Sequence, residues 1–132
     1  MSAIRSGVVL APATTLVTSK DIQYRCSSSK ARVFIGDKTS VGKFLAVRDQ
    51  CPSVETVIQI GDIALEGAIS FYASLESIEE NATVSSVRQD WHAPALIYFT
   101  SGTSGPPKMV QHNQISFPLG KRCPEPTLQF RF

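Results

Sequence analysis

At 132 residues, with 42% apolar residues and a mean hydropathy of +0.01, the chain has room for one domain with a moderate buried core. A net charge of +2 is too small to argue for nucleic acid, no apolar run is long enough to span a membrane, and three cysteines (Cys26, Cys51, Cys123) match neither a zinc nor a disulfide spacing. Structural thiols in a reducing compartment are the default reading of such cysteines. The charge is unevenly placed: residues 1–48 hold eight Lys/Arg against two acids, and residues 49–90 hold eight acids against one Arg. Such blocks read first as two solvated faces or a basic face beside an acidic one, with an electropositive groove for an anionic substrate as the alternative.

In chain order, Gly7 to Leu10 reads as a buried strand ended by Pro12, although with Arg5 it faintly mimics a signal peptide. The run is too short for one, and Pro12 interrupts it. The first acid is Asp21, a pattern also compatible with a mitochondrial transit peptide. Residues 13–17 form a connecting turn, and Thr18 with Asp21 makes a capping-box-like start to a helix running to Ser28, with Ile22 and Cys26 on one face. Ala31 to Ile35 reads as a second strand, closed by Gly36-Asp37. A second helix is expected after Thr39 or Ser40, carrying Val41, Phe44 and Leu45 at helical spacing and stopped by Cys51-Pro52. Val57 to Ile60 is a third strand before Gly61-Asp62. Strand–helix–strand–helix–strand is the sequence form of parallel βαβ units with right-handed crossovers. Phe71 to Leu75 suggests one short helical turn, and Glu76 to Asp90 a polar surface loop.

Ala95 to Phe99 is an apolar, β-prone run that leads into Thr100-Ser101-Gly102-Thr103-Ser104-Gly105-Pro106-Pro107-Lys108. These nine residues hold four hydroxyls, two glycines and one lysine, with no carboxylate. Glycines let backbone N–H groups approach an oxyanion closely, hydroxyls donate further hydrogen bonds, and an ammonium neutralises charge. The composition therefore suits a polyanion, but it also suits an ordinary hairpin turn. The nucleotide pattern G-x-x-x-x-G-K-[ST] does not fit, because Gly102 and Gly105 are too close and Met109 follows Lys108. A G-x-G-x-x-G dinucleotide fingerprint and a G-x-S-x-G nucleophile elbow are both absent from the sequence, so Asp90 and His92 beside Trp91 remain half a catalytic pair. His112 either lines the acyl or loop region or, as base rates favour, is a solvated loop histidine.

The order of residues from Tyr98 to Lys108 resembles the signature loop of the adenylate-forming superfamily, which includes acyl-CoA synthetases, peptide-synthetase adenylation domains and luciferases. Every fixed position of the family pattern Thr-Ser-Gly-Thr-Thr/Ser-Gly-x-Pro-Lys is met. Upstream, Gly7 to Pro12, Thr15 to Ile22, Ser29-Lys30-Ala31, Cys51-Pro52-Ser53, and Lys108-Met109 followed by His112 look like the medium-chain acyl-CoA synthetase branch. The resemblance covers residues 6–117 and fades from Lys121 to Pro126. It implies an α/β fold of parallel βαβ units plus a β-hairpin carrying the phosphate-binding loop, within the family's large amino-terminal domain. Residues 1–120 would be a partial AMP-binding (adenylation) domain and residues 121–132 an unmatched tail.

The chemistry implied by the resemblance is ATP-dependent activation of a carboxylate to an acyl-adenylate, then transfer to a thiol. ATP, Mg²⁺ and coenzyme A as co-substrate follow from it, as do nucleotide and carboxylic acid small molecules as partners. Nucleic acid and a membrane span do not. The implied location is cytoplasmic, with mitochondrial as the alternative. Thr100, Ser101, Gly102, Thr103, Ser104, Gly105 and Lys108 would bind the ATP phosphates. No catalytic residue or metal ligand carries over. The family's aromatic-Gly-x-Thr-Glu motif, whose Glu helps hold Mg²⁺, is not found in the 132 residues, nor are its ribose-binding Asp motif and its carboxy-terminal catalytic lysine. Two expectations stay open. The chain is part of an AMP-forming ligase, or it is a non-catalytic truncated product that at most binds phosphate weakly or pairs with another chain. A piece of such a domain is also expected to expose an apolar sheet edge and helix-facing surfaces.

Overall fold

The capping box read at Thr18 is present and starts the helix α2, Ser19–Ser29. The Thr18 backbone N–H donates to the Asp21 carboxylate at 3.0 Å, and the Asp21 N–H donates back to the Thr18 hydroxyl oxygen at 3.2 Å. Two amide donors that the first helical turn leaves free are thereby satisfied. This is a computed structural model that describes residues 2–80, 82–83, 85–100 and 105–116; Cys123 and the expected tail at 121–132 lie outside the described residues. Two compact units divide the chain, Ala13–Ala82 and Met1–Pro12 with Thr83–Phe132.

In the unit Ala13–Ala82, β1 (Val33–Gly36), β2 (Thr56–Gln59) and β3 (Ile69–Ser70) form a parallel sheet in that spatial order. The helix α3, Lys38–Leu45, crosses from β1 to β2, and the Asp37 carboxylate caps it by accepting from the Ser40 N–H at 2.8 Å. A 3₁₀ turn at Arg48–Gln50 and Cys51 follow it before β2. One face of the sheet packs on α2 and α3. Val41, Phe44, Cys51 and Val57 are each at most 2% exposed, and the Phe34 ring stacks on Phe44 with centroids 4.6 Å apart. Burying such side chains contributes roughly 1.5–3 kcal/mol each, so these few residues hold the unit together. Gln59, also 1% exposed, is satisfied within the same unit: its amide donates to the Ile63 carbonyl and accepts from the Leu65 N–H at 3.1 Å. That answers the cost of burying a polar side chain and shapes the loop after β2. The short helix α4, Phe71–Glu76, follows β3 directly.

In the other unit, α1 (Ser2–Arg5) precedes a coil, and β4 (Pro94–Thr100) pairs antiparallel with β5 (Lys108–Asn113). The stretch expected as a buried strand, Gly7 to Leu10, is a correction. Val8, Val9 and Leu10 are exposed, and only Leu10 bridges another strand, parallel to Leu96. Gly7 sits at φ +70°, where a Cβ would strike the Gln89 side chain, so the chain bends just as a strand would begin. With Pro12 following, the run has room for a single bridge. The first strand of the expected βαβαβ series thus does not join the parallel sheet. Its third member is instead β3, which the sequence pattern does not mark. The second helix also begins earlier than expected, because Asp37 rather than Thr39 or Ser40 provides the cap.

Candidate functional site

The hairpin holds the residues that the sequence singles out. Its register pairs Leu96 with His112, Tyr98 with Val110, and Thr100 with Lys108. Since side chains alternate along a strand, these six share one face of the hairpin. The last pair closes the ladder, so residues 101–107 form the connection between the strands. Thr100 and Lys108 are exposed, and the Thr100 hydroxyl donates to the Lys108 carbonyl at 3.4 Å. Gly105 is exposed, and a Cβ built there would meet nothing within 4 Å. Ser101, Gly102, Thr103 and Ser104 lie outside the described residues.

The base of the hairpin is held by backbone bonds from the coil beside it. The Leu10 N–H donates to the Ala95 carbonyl at 3.0 Å, and the Ile97 N–H donates to the Leu10 carbonyl at 2.7 Å. Ala95 and Leu96 are the buried residues of β4, at 1% and 7% exposure. Higher up, the Tyr98 and His112 rings meet edge to face, with centroids 5.7 Å apart. His112 is therefore a half-buried strand residue rather than a solvated loop histidine. This contact depends on the strand register and has no signal in the sequence except the period of two on either side of the turn.

From Trp91 to Pro124 the sequence holds no Asp or Glu, so Lys108 has no carboxylate neighbour along its own strands or turn. Asp90 does not pair with the imidazole of His92 as a catalytic dyad would. Its carboxylate accepts from the His92 backbone N–H at 2.7 Å, and the Ala93 N–H closes the turn on the Asp90 carbonyl at 3.0 Å. Trp91, at the tip of this turn, is 68% exposed. Among the described residues no group of three or more His, Cys, Asp or Glu is placed to hold a metal ion, and no helix is long and apolar enough to cross a membrane. Among the described residues, the end of the hairpin presents the Thr100 hydroxyl and the Lys108 ammonium on one exposed face.

Comparison with known proteins agrees with the geometry. A family model described as "AMP-binding enzyme" matches residues 1–117. The human mitochondrial acyl-coenzyme A synthetase ACSM5 is 36% identical over 122 residues, which are 91% of this chain and 20% of that enzyme. The mouse mitochondrial acyl-coenzyme A synthetase ACSM3 is 37% identical over 120 residues, again 91% of this chain and 20% of the relative. The chain thus spans about a fifth of the length of the curated relatives it matches. Among solved structures, an anthranilate CoA ligase, AuaEII, in complex with anthranoyl-AMP superposes with a TM-score of 0.79 at 23% identity, over 88% of this chain and 22% of that one. A red-emitting luciferase from Phrixothrix hirtus superposes with a TM-score of 0.76 at 21% identity, over 89% of this chain and 24% of its own. These two likenesses establish the α/β fold of parallel βαβ unit and hairpin. With a family model spanning all of the described residues and relatives above a third identical across the same stretch, the chain belongs to the AMP-binding enzyme family, on the side of the medium-chain acyl-CoA synthetases.

Proposed function

We propose that this chain supplies the phosphate-gripping part of an AMP-forming acyl-CoA synthetase. The observation that carries the reading is the donor-rich, carboxylate-free turn closed by the Thr100–Lys108 pair. In the reaction, a carboxylate oxygen attacks the α-phosphorus of ATP, the bond to the β-phosphate oxygen breaks, and pyrophosphate leaves. The acyl carbon is then attacked by the coenzyme A thiol and AMP departs. The hydroxyls of Thr100, Ser101, Thr103 and Ser104 and the backbone N–H groups of Gly102 and Gly105 would donate to the phosphate oxygens. Lys108 would neutralise the β/γ end as charge builds on the departing pyrophosphate. Such donors act by being in place before the charge develops. The turn holds no carboxylate, so its residues suit the phosphate oxygens and not Mg²⁺, which would supply charge neutralisation from the nucleotide side. The acyl acid is not assigned. The mitochondrial names of the relatives support the mitochondrial alternative over a cytoplasmic location.

A chimaera tests the reading. Residues of this chain replace the matched 122 residues of the human relative, and ATP–pyrophosphate exchange is measured with fatty and aromatic acids. Exchange is expected to survive the replacement and to fall about 10²–10³-fold with Lys108→Ala or Ser101→Ala. Exchange that ignores both substitutions would refute the assignment. The isolated chain is expected to give background exchange only, since the turn places no second charged group at the phosphates. Exchange above background from the chain alone would show that it carries more of the machinery than this reading allows.

A further inference from the structure

Cys26 and Cys51 are distant in the sequence and meet in the core of the unit Ala13–Ala82. Cys26 lies in the last turns of α2, and Cys51 sits between the 3₁₀ turn Arg48–Gln50 and β2. Both are free thiols, 6% and 1% exposed, and a hydrogen bond joins their side chains. Their neighbours in sequence meet in the same way, since the Ser27 hydroxyl donates to the Gln50 carbonyl at 3.4 Å. Backbone bonds fix both positions. The Cys26 carbonyl accepts from the Ala31 N–H at 3.1 Å, the Cys51 N–H donates to the Arg48 carbonyl at 2.9 Å, and the Cys51 carbonyl accepts from the Val54 N–H at 3.0 Å. A single buried cysteine is a small hydrophobe, but two in contact are the reduced form of a cross-link.

We propose that Cys26 and Cys51 are a redox latch, closed by a low-molecular-weight disulfide of the glutathione type into a bond that ties the end of α2 to the turn before β2. In the first step one cysteine thiolate attacks a sulfur of the reagent, the reagent S–S bond breaks, and one reagent thiolate leaves. The second cysteine thiolate then attacks the cysteine sulfur of the mixed disulfide and releases the second reagent thiolate. Two cysteine thiols are oxidised, one reagent disulfide is reduced, and the two protons pass to the departing thiols. Because both sulfurs are buried, the first attack runs through a local opening at the end of α2, so closure is slow. The equilibrium does not depend on that route. Since the fold already holds the sulfurs in contact, the bond favours the folded chain over the unfolded one. The latch is independent of the hairpin and of nucleotide binding.

The test equilibrates the full chain with glutathione buffers of graded ratio, in native buffer and in urea, and maps the acid-quenched products by mass spectrometry. The expected product is a single chain linked between Cys26 and Cys51 and reversed by dithiothreitol. Half-oxidation in native buffer should need at least tenfold less glutathione disulfide than in urea. The oxidised chain should melt about 10 °C above the reduced one, a rise that Cys51→Ala abolishes. The wild-type map and its two midpoints decide the matter even where that variant does not fold. Equal midpoints in native buffer and urea would overturn the proposal. So would pairing of either cysteine with Cys123 or with a second chain in place of the internal link, or a linked chain that melts no higher than the reduced one.

Discussion

The sheet unit and the hairpin differ in where their residues do their work. In the sheet unit, Val41 and Phe44 are fully buried, and the polar residues that matter, Thr18, Asp37 and Gln59, serve the backbone. In the hairpin, the proposed phosphate-binding residues Thr100, Gly105 and Lys108 are exposed, and burial in β4 is confined to Ala95 and Leu96 at its base. Packing and the proposed chemistry are thus separated along the chain. Substitutions in one region should move stability, and substitutions in the other should move ligand affinity.

The largest effect should come from Phe44→Ala. It empties a fully buried site and removes the ring stacked on Phe34, and it is expected to cost about 3–5 kcal/mol in urea unfolding. Lys108→Ala should behave in the opposite way. Its unfolding midpoint should stay within about 0.5 kcal/mol of wild type, while affinity for ATP, read by calorimetry, falls about tenfold or more. A Lys108→Ala variant as unstable as Phe44→Ala would erase the distinction between the regions.

A smaller effect is expected from pH. Burial, with the neighbouring Cys51 thiol as a lesser cause, pushes the Cys26 thiol up to about 12 from an ordinary 9.0. The folded state therefore holds this proton more tightly than the unfolded state. The stability it contributes is complete below the ordinary value and is lost as pH rises from there through about 12. Alkaline unfolding of the sheet unit should start in that window, Cys26→Ala should flatten it, and alkylating reagents at neutral pH should leave native Cys26 unmodified. At the acid end the sign reverses. Hydrogen bonds from Thr18, first its hydroxyl and then its N–H, hold the Asp21 carboxyl below its ordinary 3.8. Its contribution is present above that value and disappears as pH falls through the lower, folded one. Thr18→Ala, which removes half of the capping box, should cost about 1 kcal/mol by thermal unfolding, far less than Phe44→Ala.

The two regions were also unequally legible in the sequence. Thr18 and Asp21 announce α2 because capping is local, a matter of three residues and two hydrogen bonds. The strands β1 and β2 and the helix α3 follow from runs of Val, Ile and Phe between turn residues. Ile69–Ser70 is too short for any pattern and is a strand only because Ile58 and Gln59 lie beside it. Gly7 to Leu10 has the composition of a buried strand, but the bend at Gly7 and the proline at 12 leave it one bridge. In the hairpin, composition left the turn undecided between an anion site and an ordinary connection. The order of residues from Thr100 to Lys108 is what pointed to the AMP-binding family, and the match over residues 1–117 bears that out. The Tyr98–His112 contact was not legible, since it requires the register across the 101–107 connection.

The most direct test of the central claim is a titration of the isotopically labelled chain with ATP, followed by amide resonances. The amides of Thr100, Gly105 and Lys108 should move and saturate together, while those of Val57 and Ile58 in the sheet stay still. Hairpin amides that remain in place while ATP binds elsewhere, or does not bind at all, would contradict the assignment of this turn to the nucleotide's phosphates.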